Sequence, residues 1–393
     1  MNQFDINDTT PRTTVEQLMS LCEACQEGDF DGVKRILRKA DAELDLNETD
    51  DEEWTPLHHA FEGGNLKIIQ YLIDENGADL ACIIDTQEGQ DALNFAINGG
   101  HLDCIKYIAE NGGDGMMDEE NDNELRPLHL ACLQGHFDII QYLVEEHNVN
   151  TGAVDDDCWT ALHYATVYGD LDIVRFLVEE HDVDVDATEV DGWTPFHCAA
   201  NTGHLDVVKY LLEELQVDRD ALVRKVRQNA LHLASSEGRL NVVKYLIEEQ
   251  DYDINELSSD EDTAFHLAAT YGKLDVVKYF VEHARDDEAR IHMLFAKNTK
   301  DQIAYDIAVG LVETENEYAN KDLVDYLASY SVPLAVPSND EDEDEPCVKL
   351  NPELSEKLRK VADDTLLRSV EETPVHEVAY HILGYLTLSD VKR

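Results

Sequence analysis

Residues 191–212 read DGWTPFHCAANTGHLDVVKYLL, and the fold is decided in this stretch. Thr194-Pro195 is a helix start: threonine is a good N-cap, and proline at the first helical position has no N–H to leave unpaired. Phe196-His197-Cys198-Ala199-Ala200 makes a short helix slim enough for a neighbour to approach closely. Gly203 then permits the left-handed residue that ends many helices. Leu205, Val208, Leu211 and Leu212 follow at helical spacing, so a second helix carries an apolar stripe. One such pair cannot bury that stripe alone; stacked copies can.

The copies are present. Openings of the same kind stand at Thr55-Pro56-Leu57-His58, Asp91-Ala92-Leu93-Asn94, Arg126-Pro127-Leu128-His129 and Thr160-Ala161-Leu162-His163. Beyond residue 212 they recur at Asn229-Ala230-Leu231-His232 and Thr263-Ala264-Phe265-His266. A degenerate first unit counts from Met19, giving spacings of 36, 36, 35, 34, 34, 35 and 34 residues. It holds Leu21-Cys22-Glu23-Ala24-Cys25, Gly28, Val33, Ile36 and Leu37. A worn ninth unit opens at Ile303-Ala304-Tyr305-Asp306, and an insertion from His283 to Thr299 precedes it. Worn ends suit an array whose terminal units meet water on one side.

The period and the Thr-Pro-Leu-His-x-Ala grammar resemble the ankyrin repeat family over residues 16–330. The resemblance implies an all-α solenoid of about nine helix-turn-helix units with finger-like turns, used for protein binding. Around the array we expect a flexible lead-in over 1–15, an acidic linker over 331–350 and a helical tail over 351–393. From about residue 374 the tail is similar to the front half of an F-box, as in poxvirus ankyrin proteins. Pro374, Glu377, Ile382, Leu383 and Leu386 carry that likeness, which implies recruitment of a ubiquitin ligase adaptor.

Composition narrows the partner. Of 393 residues 85 are acidic and 30 basic, for a net charge of −55. Such a field repels nucleic acid and anionic membrane and favours a basic protein partner, although it also serves solubility. Neither a secretory leader nor a bilayer-length apolar run is expected, and the eight cysteines follow no disulfide framework. A monomer in a reducing compartment, cytoplasmic or nuclear, is the expectation.

Catalysis finds no footing. The histidines at the fourth place of the openings, His58, His129, His163, His197, His232 and His266, are one per unit, and each can bond backbone across to the next turn. Asn94 and Asp306 stand in for histidine and can also accept a bond. Cys22-x-x-Cys25 lacks a partner pair at zinc spacing. Asp182-x-Asp184-x-Asp186 fails the calcium-loop pattern and reads as a strand-like finger arm. Accordingly no enzyme, metal or cofactor is expected.

Positions on which the repeat makes no demand are more informative. The residue before each opening faces the concave side of such a stack, and all three tryptophans, Trp54, Trp159 and Trp193, fall there. Two further free positions precede the helix-break glycine and hold Leu133, Tyr168 and Tyr271 among others. Exposed aromatics rimmed by charge suit a binding hot spot; tryptophans packed flat on the next turn are the competing expectation. Acidic pairs end the second helices, including Glu213-Glu214 and Glu248-Glu249, against the helix dipole. One finger is basic instead, with Arg219, Arg224, Lys225 and Arg227.

Overall fold

A computed structural model describes residues 14–40, 44–50, 53–84, 87–121, 125–181 and 183–330. The F-box-like residues Pro374, Glu377, Ile382, Leu383 and Leu386, the linker over 331–350 and the rest of the tail lie outside the described residues, as does most of the lead-in.

The described chain is helical, with no strand among the described residues. It divides into two compact bodies, Met1–Val190 and Asp191–Arg393. In the first body the leading helices of five pairs, Thr14–Gln26, Pro56–Glu62, Gln87–Asn98, Pro127–Gln134 and Ala161–Tyr168, stack each on the next. Behind them run the second helices, Phe30–Lys39, Leu66–Gln70, Leu102–Glu110, Phe137–Gln141 and Leu171–Arg175. In the second body Pro195–Thr202, Ala230–Ser236, Ala264–Thr270 and Ala304–Glu313 stack in the same way. Their partners are Leu205–Lys209, Leu240–Glu248, Leu274–Glu282 and Lys321–Ala328. The insertion after His283 contains a further helix, Asp287–Phe295, started by the Asp286 carboxylate, which accepts the Ala289 N–H at 2.8 Å.

Apolar side chains of both helix rows close the core. Leu57, Phe61, Ile68, Ile69 and Leu72 are fully buried in the first body; Phe196, Val207, Val208, Leu211 and Phe265 are almost wholly so in the second. Several second helices end in wider turns, as at Tyr71–Glu75, Tyr142–Glu146, Phe176–Glu180 and Tyr210–Glu214. In the last of these the Leu215 N–H reaches back five residues to the Tyr210 carbonyl at 3.2 Å.

The fourth-place histidines explain how each helix starts. Thr194 Oγ1 accepts the His197 N–H at 3.4 Å, and the Thr194 N–H donates to His197 Nδ1 at 3.2 Å. The imidazole thus plays the part that glutamate plays in a capping box. Its other nitrogen donates onward to the next finger, His197 to the Ala221 carbonyl at 3.0 Å and His129 to that of Ala153 at 3.1 Å. Of the two substitutes, Asp306 accepts the Ile303 N–H at 3.2 Å. Asn94 Oδ1 is buried and finds no hydrogen-bond partner among the described residues, so the bond expected of it is not made.

At the other end of the leading helices, Gly135 sits at φ +75° and Gly203 at +92°. A Cβ on Gly135 would overlap the Tyr168 ring of the following unit, so the position requires glycine for both reasons. Some of the carbonyls freed at these helix ends are met by a side chain at the start of the following unit's second helix. His136 Nε2 donates to Asn98 O at 3.1 Å, Arg239 Nε to Asn201 O at 2.9 Å, and Asn320 Nδ2 to Gly272 O at 2.8 Å. In these cases a unit caps its predecessor.

One expectation is corrected. Asp184 and Asp186 form no strand-like arm: the Asp186 N–H turns back onto the Asp184 carboxylate at 3.1 Å, and Asp182 lies outside the described residues. A short polar side chain competes with ladder formation by bonding its own backbone.

Candidate partner-binding surface

The fingers are small closed loops, built so as to hold the residue before each opening. Asp50 accepts the Trp54 N–H at 3.0 Å and returns its own N–H to the Trp54 carbonyl at 2.9 Å. Asp155 does the same for Trp159, at 2.8 and 3.1 Å. Ser258 holds Asp262, and Asn298 holds Gln302. The tightness has a conformational cost. The residue before the held one is left-handed in each of these loops, at Glu53, Cys158, Glu261 and Asp301 as well as at Gly192. Only Gly192 adopts that conformation without steric penalty.

Held this way, the tryptophans are half-buried rather than splayed into solvent. Trp54 packs on His59 and Phe95, with ring centroids 5.3 and 5.0 Å away. Trp159 packs on His163 and Tyr164 at 5.4 and 5.3 Å, and Trp193 meets His197 edge-on at 6.3 Å. Tyr164 is anchored in turn, donating to Asp155 at 2.5 Å. Packing is therefore part of what these side chains do, Trp54 against Phe95 of the following unit and Trp159 and Trp193 against their own leading helices.

More surface is left by Tyr168, which is 46% exposed over Gly135, and by Phe95, 39% exposed beside Trp54. The sequence singled out Tyr168; it missed Phe95, although four residues separate Phe95 from its opening just as four separate Tyr164 from Thr160. Leu133 is half-buried on the Pro127–Gln134 helix, which packs against the helix of Tyr168. In the second body Tyr271 is half-buried and meets Tyr318 edge-on at 5.1 Å, above an open groove of about 460 Å³.

The charged groups are more committed than their sequence suggests. Tyr245 donates its hydroxyl to Glu213, and Tyr279 donates to Glu248, both at 2.8 Å. Lys209 and Lys244 lie over those same two rings, 4.7 and 5.5 Å from the centroids. Acid at a helix end, unfavourable within its own helix, thus ties one unit to the next. The basic finger is also paired: Lys225 meets Asp191 at 2.5 Å, and the Arg219 guanidinium lies 4.8 Å over Tyr252. Exposed acid remains on the fingers at Asp156 and Asp157.

Titration follows burial. Removal from water holds His129 and His266 below the ordinary imidazole value and pushes His232 down to about 4. Burial likewise pushes the thiols of Cys22 and Cys104 up to about 12, so neither is an activated nucleophile.

A family profile described as "Ankyrin repeats (3 copies)" matches residues 21–117, 113–189 and 180–258, and one described as "Ankyrin repeat" matches 260–290. Over 90 residues the chain is 33% identical to BTB/POZ domain-containing protein 3 of Schizosaccharomyces pombe. That stretch covers 23% of this chain and 15% of the yeast protein. No helix among the described residues is long and apolar enough to cross a membrane. The matched segments coincide with the stacked pairs and their fingers, and the helix pair after Ala304 continues the stack beyond them. By sequence and by architecture alike, the chain belongs to the ankyrin repeat family, a non-catalytic interaction fold.

Proposed function

We propose that the protein is a binding module that takes a basic protein partner on the concave face of its repeats. The observation that carries this reading is that the first body leaves Tyr168 and Phe95 exposed, Phe95 against half-buried Trp54. Leu133 belongs to the same proposed surface, and Trp193 and Tyr271 are its counterparts in the second body. Aromatic anchors of this kind, ringed by polar groups, dominate many interfaces. A net charge of −55 supports a Lys/Arg-rich partner.

The test is capture from extract by the full chain and by Tyr168→Ala, alone and with Trp159→Ala. Loss of partners from the variants, while their circular dichroism matches the parent, is the expected outcome, and retention should fall as salt rises. Capture of the same proteins by parent and double variant would remove the reading.

A second reading rests on the order Pro374, Glu377, Ile382, Leu383 and Leu386: the tail recruits a ubiquitin ligase adaptor and the repeats select the substrate. Deleting residues 372–393 should then abolish adaptor capture and leave the Tyr168-dependent capture intact. A full chain that captures no adaptor refutes it.

A further inference from the structure

Three side chains able to ligate a metal converge in the first body: Cys22 from Thr14–Gln26, Asp50 at the base of the first finger, and His59 from Pro56–Glu62. One ligand atom of each, the Cys22 Sγ among them, lies within 4.8 Å of the other two. Cys22 is 5% exposed and His59 8%. Cys25, the other half of the Cys-x-x-Cys pair, takes no part; the companions of Cys22 come from 28 and 37 residues further along the chain.

Asp50 and His59 also have neighbours behind them. Asp50 Oδ1 accepts the Trp54 N–H, and its Oδ2 faces His59 Nε2 at 2.7 Å. The opposite imidazole nitrogen, Nδ1, lies 3.5 Å from the Glu62 carboxylate. A carboxylate behind an imidazole and a hydrogen bond behind a carboxylate are the outer supports that orient ligands in metal centres.

The bland explanation is that an aspartate tying a finger to an aromatic ring is simply how this repeat is made. Asp155 and Tyr164 do that. Register decides the matter. Counted from Met19 and Thr55, the trio occupies the positions that His129, Asp155 and Tyr164 occupy when counted from Arg126 and Thr160. There the imidazole caps its helix and reaches the Ala153 carbonyl, and the phenol bonds the aspartate; hydrogen bonds account for every group. Here the first unit has a thiol in place of that imidazole, and the second has an imidazole in place of that phenol. Cys22 lies inside Thr14–Gln26, which begins five residues before Met19, so no capping bond is asked of it, and the two changes together create a sulfur–nitrogen–oxygen donor set that suits zinc.

We propose that Cys22, Asp50 and His59 bind a zinc-class divalent ion, with water at the fourth position. Tetrahedral zinc bonds of about 2.0–2.1 Å hold nitrogen and oxygen roughly 3.3 Å apart. The 2.7 Å between His59 and Asp50 therefore opens by about 0.6 Å on binding, a side-chain adjustment. The ion would clip the first helix pair to the first finger and to the second unit.

The probe is cobalt(II), and then zinc in competition, titrated into the full chain under reducing conditions. One equivalent should produce a thiolate-to-cobalt charge-transfer band that zinc abolishes. Cys22→Ser should remove the band, while Cys158→Ser, which changes an exposed thiol, should keep it. His59→Tyr installs the residue of the equivalent position, so the fold is retained while a ligand is lost; its affinity should fall further than the roughly 10- to 100-fold expected for Glu62→Gln. Absence of the band, or its persistence at parental affinity in a folded Cys22→Ser or His59→Tyr chain, overturns the proposal.

Discussion

The pH dependence of stability can be worked through at His232. Its ring is 1% exposed; Nε2 donates to the Glu256 carbonyl at 3.1 Å, and Nδ1 accepts the Asn229 N–H at 3.3 Å. Both nitrogens are thus satisfied in the neutral form. A second proton would have to enter at Nδ1, beside the Asn229 N–H and the Asn229 side-chain oxygen at 2.7 Å, and the charge would be buried away from water, which is the larger effect. Burial accordingly lowers the pKa from the ordinary 6.5 to about 4. Below pH 6.5 the unfolded chain binds a proton that the folded chain refuses, so stability present at neutral pH is lost as pH falls towards 4. Between pH 7 and 4.5 this one group removes roughly 2 kcal/mol. The assay is urea unfolding of parent and His232→Gln at both pH values, followed by circular dichroism. Glutamine does not titrate, so the variant starts less stable but should lose roughly 2 kcal/mol less over the same interval. Parallel losses in the two proteins would refute the reasoning, because the remaining histidines are common to both.

Two further outcomes follow from the packing. Gly135→Ala places a Cβ against the Tyr168 ring at a left-handed φ, and should lower stability by about 1–2 kcal/mol in a thermal melt. Tyr252 donates to the Arg219 carbonyl at 2.6 Å, and burial raises its pKa above the unfolded value near 10. Its contribution is complete below pH 10 and is lost as pH rises beyond it, so Tyr252→Phe should unfold less steeply between pH 10 and 11.5 than the parent.

What could be read from the sequence was whatever one unit repeats in itself. Thr194, Pro195, His197 and Gly203 lie within ten residues of one another, and each has a stereochemical role that its neighbours alone determine. Interactions between units were harder to see. The glutamates that accept from Tyr245 and Tyr279 stand 32 and 31 residues earlier, and only a known stacking register pairs them. The residues that cap a preceding helix, His136, Arg239 and Asn320, differ in kind and share only an N–H to donate, so no letter recurs to announce them. The Asp287–Phe295 helix had a visible start in Asp286 and apolar Ile291 and Leu294 at helical spacing, yet it broke the period that guided the reading. At the candidate surface, Tyr168 and Trp159 were found because the repeat does not prescribe them. Phe95 escaped because its position usually faces a neighbouring ring.

Where a unit is capped by its successor, as at Asn98, Asn201 and Gly272, the stack has a direction. A helix pair emerging during synthesis has unsatisfied carbonyls until some 34–36 further residues have appeared and the next His136- or Arg239-like side chain swings into place. Shortening from the two sides is unequal in consequence. Trimming from the N-terminal side removes units that no later helix depends on for its cap, whereas a cut on the C-terminal side strips the cap from the unit left behind. Asn320, on Lys321–Ala328, spares the Ala264–Thr270 helix that fate, which gives the worn last unit a task its degraded motif does not advertise.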